Sequence, residues 1–311
     1  MKLISIVTPC YNEEENVAEV YNQVRNVFSK LSHYEYEHIF IDNASKDKTV
    51  EILKGIAGKD KNIKIIVNAR NFGQIRSPFY AFLQAKGDAV IPLTCDLQEP
   101  TELIFKLITK WEEGFKIIAA VKNKSKESSI MFSLRKAYYN FIKNVAEVEL
   151  IQNYYGFGLY DRKIVEVLRS VNDPYPYFRG LICEIGFEKA IVEFTQAKRE
   201  RGLTKNNFFT LYDIAMQGLT SYSKVPLRIA TMMGFVISIL SILTAVVYFI
   251  LKFIFWKYFS IGMAPLIIGV FFFSSVQLFF IGLLGEYIGA VYTQVQKRPL
   301  VIEKERINFD N

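Results

Sequence analysis

Short apolar runs punctuate the first part of the chain: LISIVT (3–8), HIFID (38–42), IKIIV (63–67), AVIPL (89–93) and KIIAAV (116–121). Each is too short for a helix and most are rich in Ile and Val, which predicts buried strands. Between the first four lie stretches of 10 to 20 residues with helical spacing of apolar positions, and another such stretch follows Pro100. This alternation predicts an α/β fold over residues 1–226, a mostly parallel sheet covered by helices. The pattern changes near residue 227. Residues 229–251 and 263–285 are 23 residues each and hold no charge. At 1.5 Å per residue each covers about 34 Å, enough to cross a hydrocarbon core of about 30 Å. Two such runs in succession predict a two-helix transmembrane hairpin over 227–296 rather than a helix pair in a soluble core. The link KFIFWKYFS carries Trp256, Tyr258 and Phe259, residues suited to a membrane–water boundary.

The flanks set an orientation. Lys224 and Arg228 precede the first run, and Lys297, Arg298, Lys304 and Arg306 follow the second, whereas the link has only Lys252 and Lys257. The positive excess places both termini and the α/β part, including a tail at 297–311, in the cytoplasm. Glu286, directly past the second run, is expected at the interface. Two further stretches, 129–145 and 206–219, mix Phe and Tyr with basic residues, as helices lying in a bilayer surface do. Ordinary core-facing helices read as well for the first; for the second, which leads into the first span, the membrane is favoured.

Composition narrows the chemistry. Of 311 residues 51% are hydrophobic and 15% aromatic, and the formal net charge is +7. That balance fits nucleic acid, an anionic bilayer or a phosphorylated ligand. Nucleic acid is the poorest of these, because the basic residues are scattered and two spans have no place in it. The KNKSKE segment at 122–127 reads as a solvated face. Cys10, Cys95 and Cys183 are odd in number and far apart, which speaks for a reducing compartment. Two histidines, His33 and His38, leave no basis for a His-built zinc site. The N-terminal MKLISIVTPCYNEEE lacks the apolar length of a signal peptide.

Ligands of open α/β sheets bind beyond the carboxyl ends of the strands. The first strand leads into TPCYNEEENV, where Pro9 and Tyr11 shape a turn and Asn12 and Glu13 face a ligand. The second ends at Asp42, placed to accept hydrogen bonds from a base or ribose, with Ser45 and Asp47 as helix caps. After the third come Arg70, Gly73 and Gln74, a guanidinium beside a helix N-terminus and so an anion site. The fourth delivers Asp96, followed by Gln98 and Pro100. Four strand ends offering polar groups to one sheet edge point to a nucleotide-diphosphate site.

The series VTPCYNEEENV, IDNASKDKT, RNFGQ and CDLQEP, followed by GFGLYDR, RG, RERGLTK, SKVPLR and GEYIGAVYTQVQKRP, resembles the family 2 glycosyltransferases. More narrowly it is similar to the polyprenyl-phosphate type, the bactoprenol glucosyltransferases and dolichol-phosphate mannose synthases. The resemblance spans nearly the whole chain. It implies a GT-A fold and inverting transfer of a sugar from a nucleotide diphosphate, UDP by analogy, to a polyprenyl phosphate such as undecaprenyl phosphate, with Mg²⁺ or Mn²⁺. It implies a bacterial inner-membrane location. By motif, Pro9, Tyr11, Glu13 and Asp42 fall at the nucleoside, Arg70 and Gln74 at the diphosphate, and Asp96 and Gln98 at the metal and donor sugar. Arg179, Arg199 and Lys205 fall where phosphates of donor or acceptor are met, so Asp96, Gln98, Arg199 and Lys205 form the implied catalytic set.

Two departures stand out. Many relatives carry Asp-x-Asp-Leu-Gln where this chain has Thr94-Cys95-Asp96-Leu97-Gln98, and some carry an acid at the position of Gly156. Mg²⁺ commonly uses one or two carboxylates plus phosphate and water, so Asp96 suffices once a nucleotide supplies oxygens. A lipid monophosphate has a second pKa of about 6 and needs positioning more than deprotonation. The rival readings are a processive polysaccharide synthase, which lacks its Q-x-x-R-W signature here, and a sugar-nucleotide-binding scaffold or sensor without turnover. Two spans per chain are few to guide a long lipid, which favours a homo-oligomer.

Overall fold

The computed structural model describes residues 1–124, 148, 150–196, 208–255 and 263–309. Within them an eight-stranded sheet forms the centre. In chain order its first half comprises β1 (Lys2–Cys10), α1 (Val17–Ser29), β2 (Tyr34–Asp42), α2 (Thr49–Ala57), β3 (Ile63–Asn68), α3 (Gly73–Gln84), β4 (Ala89–Pro92), α4 (Leu103–Glu112) and β5 (Ile117–Lys124). Then come β6 (Tyr154–Asp161), α5 (Arg162–Val171), α6 (Phe178–Glu184), β7 (Lys189–Thr195), α7 (Phe208–Tyr222), α8 (Val225–Ile254), α9 (Met263–Val295) and β8 (Glu303–Ile307). The expected helix at 129–145, the sites Arg199 and Lys205, and Trp256, Tyr258 and Phe259 of the link lie outside the described residues.

The five strands read from the sequence are all present, because interior parallel strands must be apolar on both faces. Residues 4–8 of β1 are buried without interruption. The helices are amphipathic: α1 buries Val17, Val20, Val24, Val27 and Phe28, one stripe at helical spacing. One core layer joins these to Leu53 of α2 and Ile104, Leu107 and Trp111 of α4. The other face is covered by Phe79 and Phe82 of α3, Ile164 and Leu168 of α5 and Ile182 of α6. The result is a three-layer α/β domain with a mostly parallel sheet.

Strand order is β7-β5-β6-β4-β1-β2-β3-β8. The chain lays β1, β2 and β3 side by side in parallel, then returns to place β4 on the free side of β1. The reversal lies between β1 and β4, the position where such sheets open a crevice. Antiparallel β6 pairs with both β4 and β5, and β7 runs parallel to β5. The segment expected as a tail returns to the sheet, where β8 pairs antiparallel with β3 at its outer edge. Lys54–Glu305 and the Asn308 amide, bonded to the carbonyls of Ala57 and Ile63, fasten it there.

The two long helices are not a soluble core. None of the residues in the apolar windows of Val225–Ile254 and Ile268–Val295 is buried within the chain. Phe235, Phe249, Phe253, Phe271 and Phe279 lie open on their surfaces. The second helix outruns its expected end at Gly285 and carries Glu286 and Tyr287 before stopping at Val295. Helical hydrogen bonding continues past the uncharged run, and the Tyr287 hydroxyl donates to the Ser223 carbonyl at 2.7 Å. The end of α7 faces protein rather than lipid: Tyr222 is nearly buried, its ring 5.8 Å from that of Tyr177.

Candidate functional site

The carboxyl ends of β1, β2 and β3 are level, with Cys10 beside Asp42 and Asp42 beside Val67. The loops leaving β1, β2 and β4 each turn through a left-handed, non-glycine residue, Asn12, Ala44 and Leu97, with φ of 53°, 62° and 58°. Such conformations cost about 1 kcal/mol each and persist where surrounding contacts enforce them. Those contacts are visible. The Asn12 N–H donates to Ser45 Oγ and its Oδ1 accepts from the Lys46 N–H, both at 2.8 Å. Glu13 N–H donates to Thr49 Oγ1 at 2.9 Å, and the Glu14 N–H to Asp47 Oδ2 at 3.2 Å. The β1 and β2 loops are thus laced together. The N-cap position of α2 is Lys48; Asp47, one residue before it, accepts from the Thr49 N–H at 3.1 Å, and Ser45, also expected as a cap, instead accepts from Asn12 across the loops.

Asp42 sits at the floor of this edge, fully buried. Its Oδ2 accepts from the Ser45 N–H at 2.9 Å, while Oδ1 is buried without a partner. Burial raises its pKa, against the opposing pull of the Ser45 hydrogen bonds. A buried acceptor with nothing donating to it is rare and calls for a ligand or water. Pro9 is half-buried in the last turn of β1, and Tyr11 and Glu13 follow it in the loop; Glu13 Oε2 accepts from Asn16 Nδ2 at 2.7 Å.

Beyond β3 an asparagine lattice holds the loop into α3. Asn43 Oδ1 accepts from the Phe72 N–H at 2.8 Å and from Asn68 Nδ2 at 3.2 Å, and its Nδ2 donates to Asn71 Oδ1 at 3.0 Å and to the Gly73 carbonyl at 3.1 Å. Gly73, at φ +83°, lets the loop turn into the helix. The exposed Arg70 and Gln74 are thereby presented at the N-terminal end of α3, the Arg70 guanidinium 4.1 Å from the Phe72 ring centre.

Asp96 lies just past β4, on the other side of the reversal. Its Oδ1 accepts from Thr94 Oγ1 at 2.8 Å. The same hydroxyl lies 3.0 Å from Glu99 Oε2, which also accepts from the Thr94 N–H at 2.8 Å. Thr94, standing where the resemblance leads one to expect an acid, therefore gathers a second carboxylate from five residues downstream. Burial, with the Asp96 charge adding to it, pushes Glu99 up to about 7. Glu99 was not singled out from the sequence, because nothing in its spacing shows that the loop folds back.

The neighbouring strands complete the edge. Gln98 Oε1 accepts from Gln196 Nε2 at 2.9 Å, and Gln196 directly follows β7. Antiparallel β6 begins at this edge with Tyr154 and the half-exposed Tyr155. The Arg179 guanidinium lies 5.6 Å from the Tyr155 ring centre, and Lys122 Nζ 5.9 Å from it. Gly156 has φ +101°, and a Cβ there would stand 3.3 Å from Phe178 Cδ1, so backbone and packing both disfavour an acid at this position. Of the residues expected from the sequence, Pro9, Tyr11, Glu13, Asp42, Arg70, Gln74, Asp96, Gln98 and Arg179 all fall along one side of the sheet. Glu99, the asparagines 43, 68 and 71, and Tyr155 are the additions.

Comparison with known proteins places the chain in a family. Residues 5–169 match the profile described as Glycosyl transferase family 2. The chain is 33% identical over 303 residues to the SfII prophage-derived bactoprenol glucosyl transferase of Shigella flexneri, covering 97% of each chain. It is 33% identical over 302 residues to the prophage bactoprenol glucosyl transferase homolog of Escherichia coli K12, covering 97% of this chain and 98% of that one. An uncharacterized glycosyltransferase of Synechocystis is 35% identical over 300 residues, 96% of this chain and 94% of its own. Among solved structures, a mannosyltransferase of Pyrobaculum calidifontis in complex with GDP-Man and Mn²⁺ aligns with a TM-score of 0.46 at 16% identity, covering 70% of this chain and 61% of that one.

Proposed function

The chain belongs to glycosyl transferase family 2, and on that premise we propose that it moves a sugar from a UDP-linked donor to undecaprenyl phosphate at the cytoplasmic face of a bacterial inner membrane. The observation that carries this reading is the alignment of Asp42, the Arg70–Gln74 loop and Asp96 along one sheet edge, in a chain that continues into two exposed apolar helices. The names of the Shigella and Escherichia relatives support a bactoprenol acceptor.

In this reading the unpartnered Oδ1 of Asp42 accepts from the base or ribose, with Pro9, Tyr11 and Glu13 around the nucleoside. Arg70, Gln74 and the N-terminal end of α3, beyond Gly73 whose N–H donates to Asn71 Oδ1, receive the diphosphate. Asp96 is the residue for a divalent ion, with Gln98 beside it and Glu99 behind. The donor set fits a cation: the Thr94 hydroxyl gathers the Asp96 and Glu99 carboxylates to one point, and two carboxylates so placed favour a positive ion beside them. Mg²⁺ or Mn²⁺ bound there supplies positive charge against the departing diphosphate. The acceptor phosphate oxygen attacks the anomeric carbon from the face opposite the diphosphate. The carbon–oxygen bond to the diphosphate breaks and takes its electron pair with it, which inverts the centre. No side chain has to remove a proton, since the acceptor arrives ionised. Arg179, Arg199 and Lys205 hold that acceptor phosphate in line.

Strand β8 supports a hairpin with both ends on the cytoplasmic side. It belongs to the same sheet as β1, so the chain must come back to the domain it left. The test is the purified full-length chain with a panel of labelled sugar nucleotides and undecaprenyl phosphate. A lipid-linked sugar is the expected product. Tight nucleotide binding with no such product across the panel would instead favour the scaffold reading.

A further inference from the structure

Helix α6, which carries Arg179, is seven residues long, too short to hold its own place, so packing must set it. The domain core fixes it through Phe178, whose ring meets those of Phe82 and Tyr160 edge-on with centres 5.2 and 5.3 Å apart. A second support comes from α7. Tyr222, in the last turn of that helix, lies against the α6 backbone at Gly180, where a Cβ would strike both the Tyr222 and the Tyr177 rings. Glycine permits this close approach, and the Tyr222 ring fills the space a side chain would take. Arg179 stands between Phe178 and Gly180, so both supports bear on it. Its guanidinium lies 5.6 Å from the ring centres of Tyr155 and Tyr177, and the Tyr177 ring is 5.8 Å from that of Tyr222.

The second support continues into the second span. Next to Tyr222 is Ser223, whose carbonyl accepts from the Tyr287 hydroxyl at 2.7 Å. Tyr287 stands just past the uncharged run of α9. Further along that helix, Gln294 Nε2 donates to Asp173 Oδ1 at 2.8 Å, and from α7 Gln217 Nε2 donates to the Tyr175 carbonyl at 2.8 Å. Both bonds hold the segment that leads into α6. A hairpin that served only to keep the domain at a bilayer would need a linker, not contacts directed at one short helix and its approach.

We propose that Tyr222 and Tyr287 are positioning residues: through α6 they set the Arg179 guanidinium for the acceptor phosphate, so the spans shape the acceptor site as well as anchor it. The proposal rests on the reading of Arg179 given under Proposed function. Pairing of guanidinium with phosphate is directional, because the N–H fork must meet two oxygens. A small shift of α6 therefore loses recognition of the headgroup while the donor edge at Asp42 stays as it was.

The test reads headgroup choice. The full chain in detergent micelles is offered equimolar undecaprenyl phosphate and undecaprenol, native mass spectrometry compares the two bound forms, and calorimetry reads UDP affinity. Wild type is expected to favour the phosphate. Arg179→Gln should lose about tenfold of that preference. Tyr222→Ala should lose about fivefold and Tyr287→Phe about threefold, with UDP affinity unchanged in both. Tyr222→Phe, which keeps the ring, should keep the preference. A purely structural role would weaken both lipids and UDP together and leave the ratio alone, and that result would overturn the proposal. Tyr287→Phe removes a single oxygen, so it keeps the test decisive if Tyr222→Ala folds poorly. Wild-type preference in Tyr287→Phe, with Arg179→Gln impaired, would overturn the proposal and leave the reading of Arg179 standing. Wild-type preference in Arg179→Gln would overturn both.

Discussion

Strand β2 carries two buried carboxylates, Glu37 toward the amino edge of the sheet and Asp42 at the carboxyl edge, and the fold treats them in opposite ways. Glu37 is fully answered. Its Oε1 accepts from the Ser5 hydroxyl and from the Lys86 N–H at 2.7 Å, and its Oε2 from Lys64 Nζ at 2.6 Å. Burial alone would raise its pKa, but Lys64, Ser5 and Lys86 outweigh it and hold the carboxyl below its ordinary value. Asp42 has one oxygen answered and one not, and burial wins. Hollow size points the other way, since a groove of about 1550 Å³ opens at the amino edge beside Tyr21, Tyr36 and Lys64. Yet there Tyr21 donates to Asp60, and Lys64 is spent on Glu37. The lesson is that unmet polar demand marks a site better than volume does: one edge is built to hold the sheet, the other to receive something.

Substitutions at the two edges should therefore separate stability from function. The largest effect is expected from Asp96→Ala. Losing the carboxylate that holds the ion removes several kcal/mol of charge stabilisation, a fall in transfer of about a thousandfold. The melting temperature should hardly move, because the Asp96 side chain is only partly buried in a loop. Near-normal turnover would break the assignment. Glu37→Gln should do the reverse. It strands Lys64 in a buried position and costs about 3 kcal/mol of stability, with activity per folded molecule preserved. The sign with pH follows from the lowered pKa. The stabilisation from Glu37 is complete above the ordinary carboxylate range and fades as pH falls through the lowered value, so wild type should lose more stability on acidification than the variant. Melting curves between neutral and acid pH check this. Asp42→Asn should weaken UDP binding by about ten- to a hundredfold by calorimetry. Its raised pKa means that stability declines as pH rises through the window above the ordinary carboxylate value. Removing the charge should thus leave stability at neutral pH unchanged or higher, where the Glu37 variant loses it.

The same contrast explains what the sequence disclosed. Strands β1 to β5 were legible because interior parallel strands read as continuous apolar runs, and Asp42 and Asp96 stood out as acids ending them. Strand β6, YYGFGLYD, hid behind two glycines that read as a loop, one of which lets β5 approach so closely that a Cβ would strike the Ile118 carbonyl. Strand β8, EKERI, is an edge strand whose charges protect it from further pairing and conceal it from any hydrophobic count. Asn43, Asn68 and Asn71 serve the site through contacts across loops. The Arg76–Pro299 contact spans 223 residues, which no local pattern reports. An asparagine close to each of two successive strand ends was the signal that went unread.

Glu99 offers the smallest and most diagnostic effect, because it sits at the functional edge yet is half answered like its counterpart. Thr94 donates its backbone N–H to Glu99, but its one hydroxyl proton is contested with Asp96. With burial and the Asp96 charge placing the Glu99 pKa at about 7, the carboxyl is protonated below that value and charged above it. Manganese affinity of the nucleotide complex should then climb by a few-fold as pH rises from 6 to 8, each lost proton making room for positive charge. In Glu99→Gln the amide stays neutral throughout, so the climb should flatten while the affinity at pH 6 stays near wild type. Titration by electron paramagnetic resonance of free Mn²⁺ measures it directly. An unchanged climb in the variant would return the whole charge demand to Asp96 and the bound phosphates. It would make Glu99 a loop brace, akin in role to Glu37 at the opposite edge.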